Sequence, residues 1–350
     1  MKYIFLALLF VSGYYTSSAQ EIEDPVEYLE LLNTDQRQIS ERLMRYISAT
    51  VHGRSEAAVQ RKREQLVKTI GKVRDNVASA PDFQGDATLK DAMLEYFTLN
   101  YSVMNEDYSD IIDMKQVAEE SYDAMEAYFK AQDMAAEKVN VAQVNVEQAI
   151  TAFTTEYNIK LVKSEDQLSK MLEQANAVAD YHNQLYLIVF KAHLGRKTFL
   201  ESVQTSDIDA IEAARITLVE ATDEGLEKLK DVPMFRGDGS LIAAAERRLQ
   251  LYKEEANAMG FTAIELIKQS KNVEKLSEAL SDKKPAKRTK EEVEAYNKAA
   301  DEANNSVAEF NSLSNKYNQL GQVDHQFWQQ TVEQFRRNHV PKYGTEEQYS

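Results

Sequence analysis

The sequence predicts an all-α fold of long antiparallel helices, arranged as two tandem pseudo-repeats of about four helices each in an elongated helical bundle. Three observations predict it. Gly (11) and Pro (5) are too scarce in 350 residues to supply the turns an all-β chain needs. Apolar residues recur at helical spacing along nearly the whole chain. And one segment is written twice: Pro81-Asp82-Phe83-Gln84-Gly85-Asp86 returns as Pro233-Met234-Phe235-Arg236-Gly237-Asp238.

Asp24-Pro25 supplies a capping carboxylate and a proline at the first helical position. Val26, Leu29, Leu32, Ile39, Leu43 and Ile47 then keep one seam up to Val51-His52-Gly53, which predicts a single first helix ended by glycine. Ser55 caps a second helix with core positions Val59, Leu66, Ile70, Val73 and Val77, and with Arg61, Lys62, Arg63 and Lys72 on a solvated face. Pro81 stops it, because proline cannot continue a helix and holds Ala80 extended. Gly85 permits a reversal, and Asp86 or Thr88 caps the next helix. That helix carries Leu89, Met93, Phe97, Tyr101 and Met104, and its pattern slips near 105–109, which predicts a kink or short break.

Helical spacing resumes through Val117, Met125, Phe129, Val139, Val146, Ile150, Phe153 and Tyr157. A further seam begins near Ser164, with Leu168, Met171, Ala175, Val178, Leu185, Val189 and Ala192. Within it Leu185 to Phe190 is apolar on every side, so this stretch belongs at the centre. Ser206-Asp207 starts the next helix and Pro233 ends it. Leu241, Ala245, Leu249, Tyr252, Ala256 and Met259 form another seam. After the polar, basic loop 282–289, a last long helix runs from Val293 to Val340-Pro341.

Residues 80–92 match 232–244 at six of thirteen positions, Pro, Phe and Gly among them. A second block, Glu126-Ala127-Tyr128-x-Lys130-Ala131-x-Asp133-x-Ala135-x-x-x-Val139, returns from Glu294 to Val307 at eight of fourteen. The offsets are 152 and 168, and the sixteen extra residues fall in the interval holding the basic loop, where insertion is tolerated. The organisation expected is a signal peptide at 1–19, a first helical repeat at 20–162, a second at 163–340 and a flexible tail at 341–350.

The N-terminus reads as a secretory signal. Lys2 precedes a short apolar run, Ile4 to Val11, and Ser17-x-Ala19 is a small-x-small cleavage site. The run is well short of the roughly 20 residues that span a bilayer, and no transmembrane segment is expected in the mature chain. Zero cysteines exclude disulfides, thiolate catalysis and Cys-ligated zinc. Formal charge is −16, or −17 once Lys2 leaves with the signal. Nucleic acid and anionic membranes are therefore poor partners for the chain as a whole.

Motifs with chemistry are few. Arg236-Gly237-Asp238 has an adhesion-type tripeptide, but its counterpart is Gln84-Gly85-Asp86, so glycine and aspartate read as turn and cap. His182 lies in an apolar seam with His193 eleven residues on, which makes the pair the pocket candidates; a buried, hydrogen-bonded histidine is the commoner role. Glu-x-x-His is absent: Gln322, Ala179 and Phe190 stand three before His325, His182 and His193. So are His-Glu-x-x-His, Gly-x-Ser-x-Gly and any phosphate-cradling glycine loop. The 18 Tyr suit a wide helical core, and Lys283 to Lys290, five basic residues around Pro285, suits a solvated loop. No cofactor, metal or catalytic residue is assigned.

The signal ending in Ser-Ala-Gln, the Phe235-Arg236-Gly237-Asp238 turn and the closing Phe335-Arg336-Arg337-Asn338-His339-Val340-Pro341 resemble an uncharacterised family of exported helical surface proteins of spirochaete and Bacteroidetes type. The resemblance implies exposure at the cell envelope and carries over no functional residue.

The function expected is that of an exported, non-enzymatic protein of the periplasm or cell surface. It would bind a protein or envelope polymer through helix faces. Two alternatives stand beside it: a ligand- or metal-binding protein or enzyme using an interhelical pocket near His182, and a structural spacer.

Overall fold

The computed structural model describes residues 22–53, 55–107, 121–161 and 167–344. The signal sequence, the Val117 position and the Ser164 start lie outside the described residues. The fold is all-α: α1 (Pro25–Asn33), α2 (Gln36–His52), α3 (Glu56–Ser79), α4 (Thr88–Ser102), a π-helical turn (Val103–Asp107), α5 (Tyr122–Glu156), α6 (Gln167–Ser202), α7 (Ile208–Lys230), α8 (Ser240–Ser281), a 3₁₀ turn (Pro285–Lys287) and α9 (Lys290–His339). Among the described residues there is no strand, only two isolated bridges, Phe83 with Asp86 and Phe235 with Asp238.

The chain forms two compact units. Of the described residues, the first holds those up to Asn183 together with those from Glu333 onward. The second runs from Gln184 to Val332. These are units of packing, whereas the two repeats are read from sequence.

In the first unit, capping follows the sequence closely. Asp24 accepts from the Val26 amide at 2.8 Å with Pro25 behind it, and Ser55 accepts from Ala58. One expectation is corrected. The first helix is two helices, broken where Asp35 adopts φ 69°. The cause is local: Asn33 and Thr34 are short polar residues whose side chains bind nearby backbone, and Asp35 is of a type that tolerates the left-handed region. Asn33 Nδ2 donates to Leu29 O and Thr34 Oγ1 to Glu30 O, each at 2.8 Å. Lys72 Nζ on α3 then holds the Asp35 carboxylate at 2.8 Å. The expected break after α4 is the π-helical turn, where Arg63 Nη2 donates to Met104 O at 3.1 Å.

Leu29, Leu32, Leu43, Ile47, Leu66, Ile70, Val73 and Val77 are buried on the faces the spacing assigns. On α6 the buried row is Leu168, Leu172, Ala175 and Val178, and Met171 is only half-buried. The C-terminal end is tied to α2, for His52 Nε2 lies 3.0 Å from Val340 O and the Tyr343 amide donates to Ser48 Oγ at 2.9 Å.

In the second unit, Asp207 accepts from the Asp209 and Ala210 amides to start α7, which packs along α8. Leu185 to Phe190 has no exposed residue, with Leu185, Val189 and Phe190 buried. Leu218, Leu241, Ala245, Leu249 and Ala256 fill the remaining core.

Candidate functional site

The duplicated segment builds two turns of one geometry. Phe83 and Asp86 exchange backbone hydrogen bonds of 3.1 and 2.9 Å, and Phe235 and Asp238 do the same at 3.1 and 2.9 Å. The central residues have positive φ in both: 50° and 84° at Gln84-Gly85, 52° and 87° at Arg236-Gly237. Two consecutive positive φ values are those of a type I′ turn, which glycine fills without penalty. The choice between caps is resolved in favour of aspartate. Asp86 Oδ1 accepts from the Thr88 amide and Asp238 Oδ1 from the Ser240 amide, each at 2.8 Å. Thr88 and Ser240 are then the first residues of α4 and α8.

The two turns are used differently. Phe83 is 2% exposed and meets Tyr28, Phe153 and Tyr157 at 5.0, 5.2 and 5.1 Å between ring centroids. Tyr28 also donates its hydroxyl to Pro81 O at 3.0 Å. Phe235 is half-buried, with the Arg236 guanidinium 5.6 Å over its own ring. Pro81 and Pro233 are exposed and end the preceding helices.

His182 and His193 have separate surroundings. His182 is half-buried in the first unit, its Nδ1 3.4 Å from Asn183 Oδ1. His193 is exposed in the second unit, its Nδ1 3.3 Å from the Tyr252 hydroxyl. Among the described residues no group of three or more His, Asp or Glu is placed to hold a metal ion.

The second unit contains a buried charge layer. Arg196 (α6) grips Glu255 (α8) with both Nε and Nη2, the latter at 2.9 Å from Oε1. Arg248 (α8) donates from Nε to Asp324 Oδ2 (α9) at 2.6 Å and from Nη2 to Asp324 O at 3.2 Å. Tyr252 and Trp328 stack beneath these guanidinium groups at 5.3 and 4.9 Å. Burial pushes the Tyr252 phenol up, against the opposing pull of Arg248 and Arg196. Each charge has an opposite partner, as buried charges require.

The first unit has two surface features that sequence periodicity does not announce. On α5, Met134, Val141 and Val144 are 57%, 52% and 43% exposed and share a heptad-like side of the helix. Met134 also lines a cleft of about 560 Å³ with Lys130, Glu137, Asn176 and Asp180. The other feature is electrostatic. Helices α2 and α3 hold nine Arg and Lys against four Asp and Glu, a net +5 inside a chain of −16. Lys62 has Arg45, Arg42 and Arg61 around it; partial burial, then their charges, lower its pKa. A groove of about 600 Å³ beside α3 is lined by Arg63, Lys68, Lys72, Arg74 and Tyr101, with Glu64 and Asp75. Arg74 stacks on the Tyr101 ring at 4.6 Å.

Comparison with known proteins adds no relative: no family model, curated protein or solved structure matches the chain. Among the described residues no helix is long and apolar enough to cross a membrane.

Proposed function

We propose that this is an exported, non-catalytic helical protein that binds a protein partner through an exposed helix face in its first unit. The observation that carries the proposal is the α5 stripe of Met134, Val141 and Val144, three large apolar side chains turned to solvent. Exposed apolar side chains that cluster on one side of a helix suit helix-in-groove recognition better than scattered ones do. The internal chemistry supports the same reading. Arg196, Glu255, Arg248 and Asp324 are spent on one another across three helices. Export rests on the Lys2 to Ala19 signal pattern, and the two equivalent turns support a duplicated chain.

The test is site-specific photo-crosslinking on intact cells. A photoreactive side chain at Val141 is compared with one at Glu147, exposed on the same helix. The proposal expects a discrete adduct from position 141 only, removed by protease added outside the cells. Equal adducts from both positions, or none from either, would sink it.

A further inference from the structure

We propose that the α2–α3 face is a binding site for a linear, phosphate-bearing polymer, held by Arg42, Arg61, Lys62 and Lys68, with Arg61 and Lys68 seven residues apart on one face of α3.

Charge segregation is the first argument. The chain has 57 acidic residues against 41 basic ones, so acidic neighbours are abundant, yet α2 and α3 gather nine cations with four acids. Crowding like charges is unfavourable in the free protein, and an opposite charge from outside relieves it. The Lys62 amine feels this crowding, since the charges of Arg45, Arg42 and Arg61 act on it. Arg42 spends its Nη1 on the neutral Gln65 oxygen at 3.0 Å, which leaves its charge uncompensated by that bond.

Ligand chemistry follows from residue type. Six arginines, 37, 42, 45, 61, 63 and 74, stand on these two helices. A guanidinium presents a planar fork of donors matched to two oxygens of one phosphate, and it is less strongly hydrated than an ammonium. Arg61, Lys68 and Lys72 fall on one face of α3, eleven residues or about 17 Å at the helical rise, and Asp35 already holds Lys72. A single small anion covers only a fraction of that length, whereas a polymer charged at every repeat matches all of it. A membrane surface fits less well. Durable binding to a bilayer needs an apolar element beside the charge, and none of the large apolar side chains of α2 or α3 is among the exposed ones. Nucleic acid fits less well because base recognition needs free aromatic platforms, and Tyr101 already carries the Arg74 guanidinium.

The test uses the full chain and linear inorganic polyphosphate as the probe. Binding is measured by titration at two salt concentrations, with orthophosphate, single-stranded DNA of equal charge and vesicles of anionic phospholipid as separate arms. The expected result is binding to polyphosphate that weakens with salt. Orthophosphate at equal phosphate concentration, DNA and vesicles should each compete poorly. Replacing Arg61, Lys62 and Lys68 by Gln should weaken polyphosphate binding by about tenfold or more. Replacing Lys284, Lys287 and Arg288 of the second unit's basic loop by Gln should leave it within about twofold. A fold control is built in: without polymer, Lys62→Gln should melt at or above the wild-type temperature, and with polymer below it. Equal losses from the two triple variants, tighter binding of DNA or vesicles, or full competition by orthophosphate would each overturn the proposal.

Discussion

Arg248 and Asp324 meet with side chains 9% and 3% exposed, one on α8 and the other on α9, at 2.6 Å. Two desolvated charges at that separation are held by each other, and removing one strands its partner. Asp324→Ala should therefore destabilise the second unit by roughly 3–5 kcal/mol. Replacing both residues by apolar ones, Arg248→Met with Asp324→Leu, should be close to neutral. Trp328 is the sole tryptophan and lies under the Arg248 guanidinium, so urea unfolding followed by its fluorescence reads this layer directly. A single variant that costs no more than the double one would contradict the assignment.

The two turns make a prediction that owes nothing to contacts. Gln84 and Arg236 sit at φ 50° and 52°, where asparagine is easier than a longer side chain, and the following glycines at 84° and 87° have open space around them. Gln84→Asn and Arg236→Asn should each raise stability by up to about 1 kcal/mol. Gly85→Ala and Gly237→Ala should each lower it by about 1 kcal/mol or more, through backbone strain alone. Thermal melting decides the matter. A stable Arg236→Asn protein also shows that the arginine of Arg236-Gly237-Asp238 is not a requirement of the turn.

Phe83 and Phe235 occupy equivalent turn positions but unequal surroundings. Phe83→Ala should cost roughly 3–5 kcal/mol, the range for a fully buried aromatic, and Phe235→Ala distinctly less. Equilibrium denaturation of the two variants checks the order.

His52 gives a pH dependence. Burial first, and then Lys342 and Arg337, lower its pKa from the ordinary 6.5, against the hydrogen bond to Val340 O. The folded protein therefore resists protonating a group that the unfolded chain protonates near pH 6.5. Stability from this site is full above that pH and falls as pH drops from 6.5 towards the lowered folded value. Denaturation midpoints measured between pH 7.5 and 5, approximate limits chosen to bracket the ordinary histidine range, should fall with acid in the wild type. That part of the profile should flatten in His52→Leu.

Much of the fold was legible because its signals are local. Asp24, Ser55 and Asp207 cap helices in the structure, and Pro81 and Pro233 end them, as residue type alone suggests. The break at Asp35 was missed because Leu32 and Ile39 are seven residues apart, so the seam continues in register across a single left-handed residue. The charge layer was missed for a different reason. Arg196 and Glu255 are 59 residues apart, and Arg248 and Asp324 are 76 apart. In so charged a chain nothing local distinguishes these four from their solvated neighbours. The basic residues of α3 were visible in sequence, but their crowding with Arg42 and Arg45 depends on how α2 packs along α3. The α5 stripe was hidden because Val141 and Val144 resemble core residues until the buried row at Val139, Ala142 and Val146 is seen beside them.

The central claim is that the protein works by binding on an outer helix face while its internal charges serve the fold. The most direct measurement is quantitative affinity capture from intact cells with the wild-type chain and with a Val141→Glu, Val144→Glu variant. The wild type should recover a defined partner that the variant loses, while the two proteins melt within about 1 kcal/mol of each other in stability, as substitutions at exposed positions do. Recovery of the same partner in equal amount by both proteins would contradict the account.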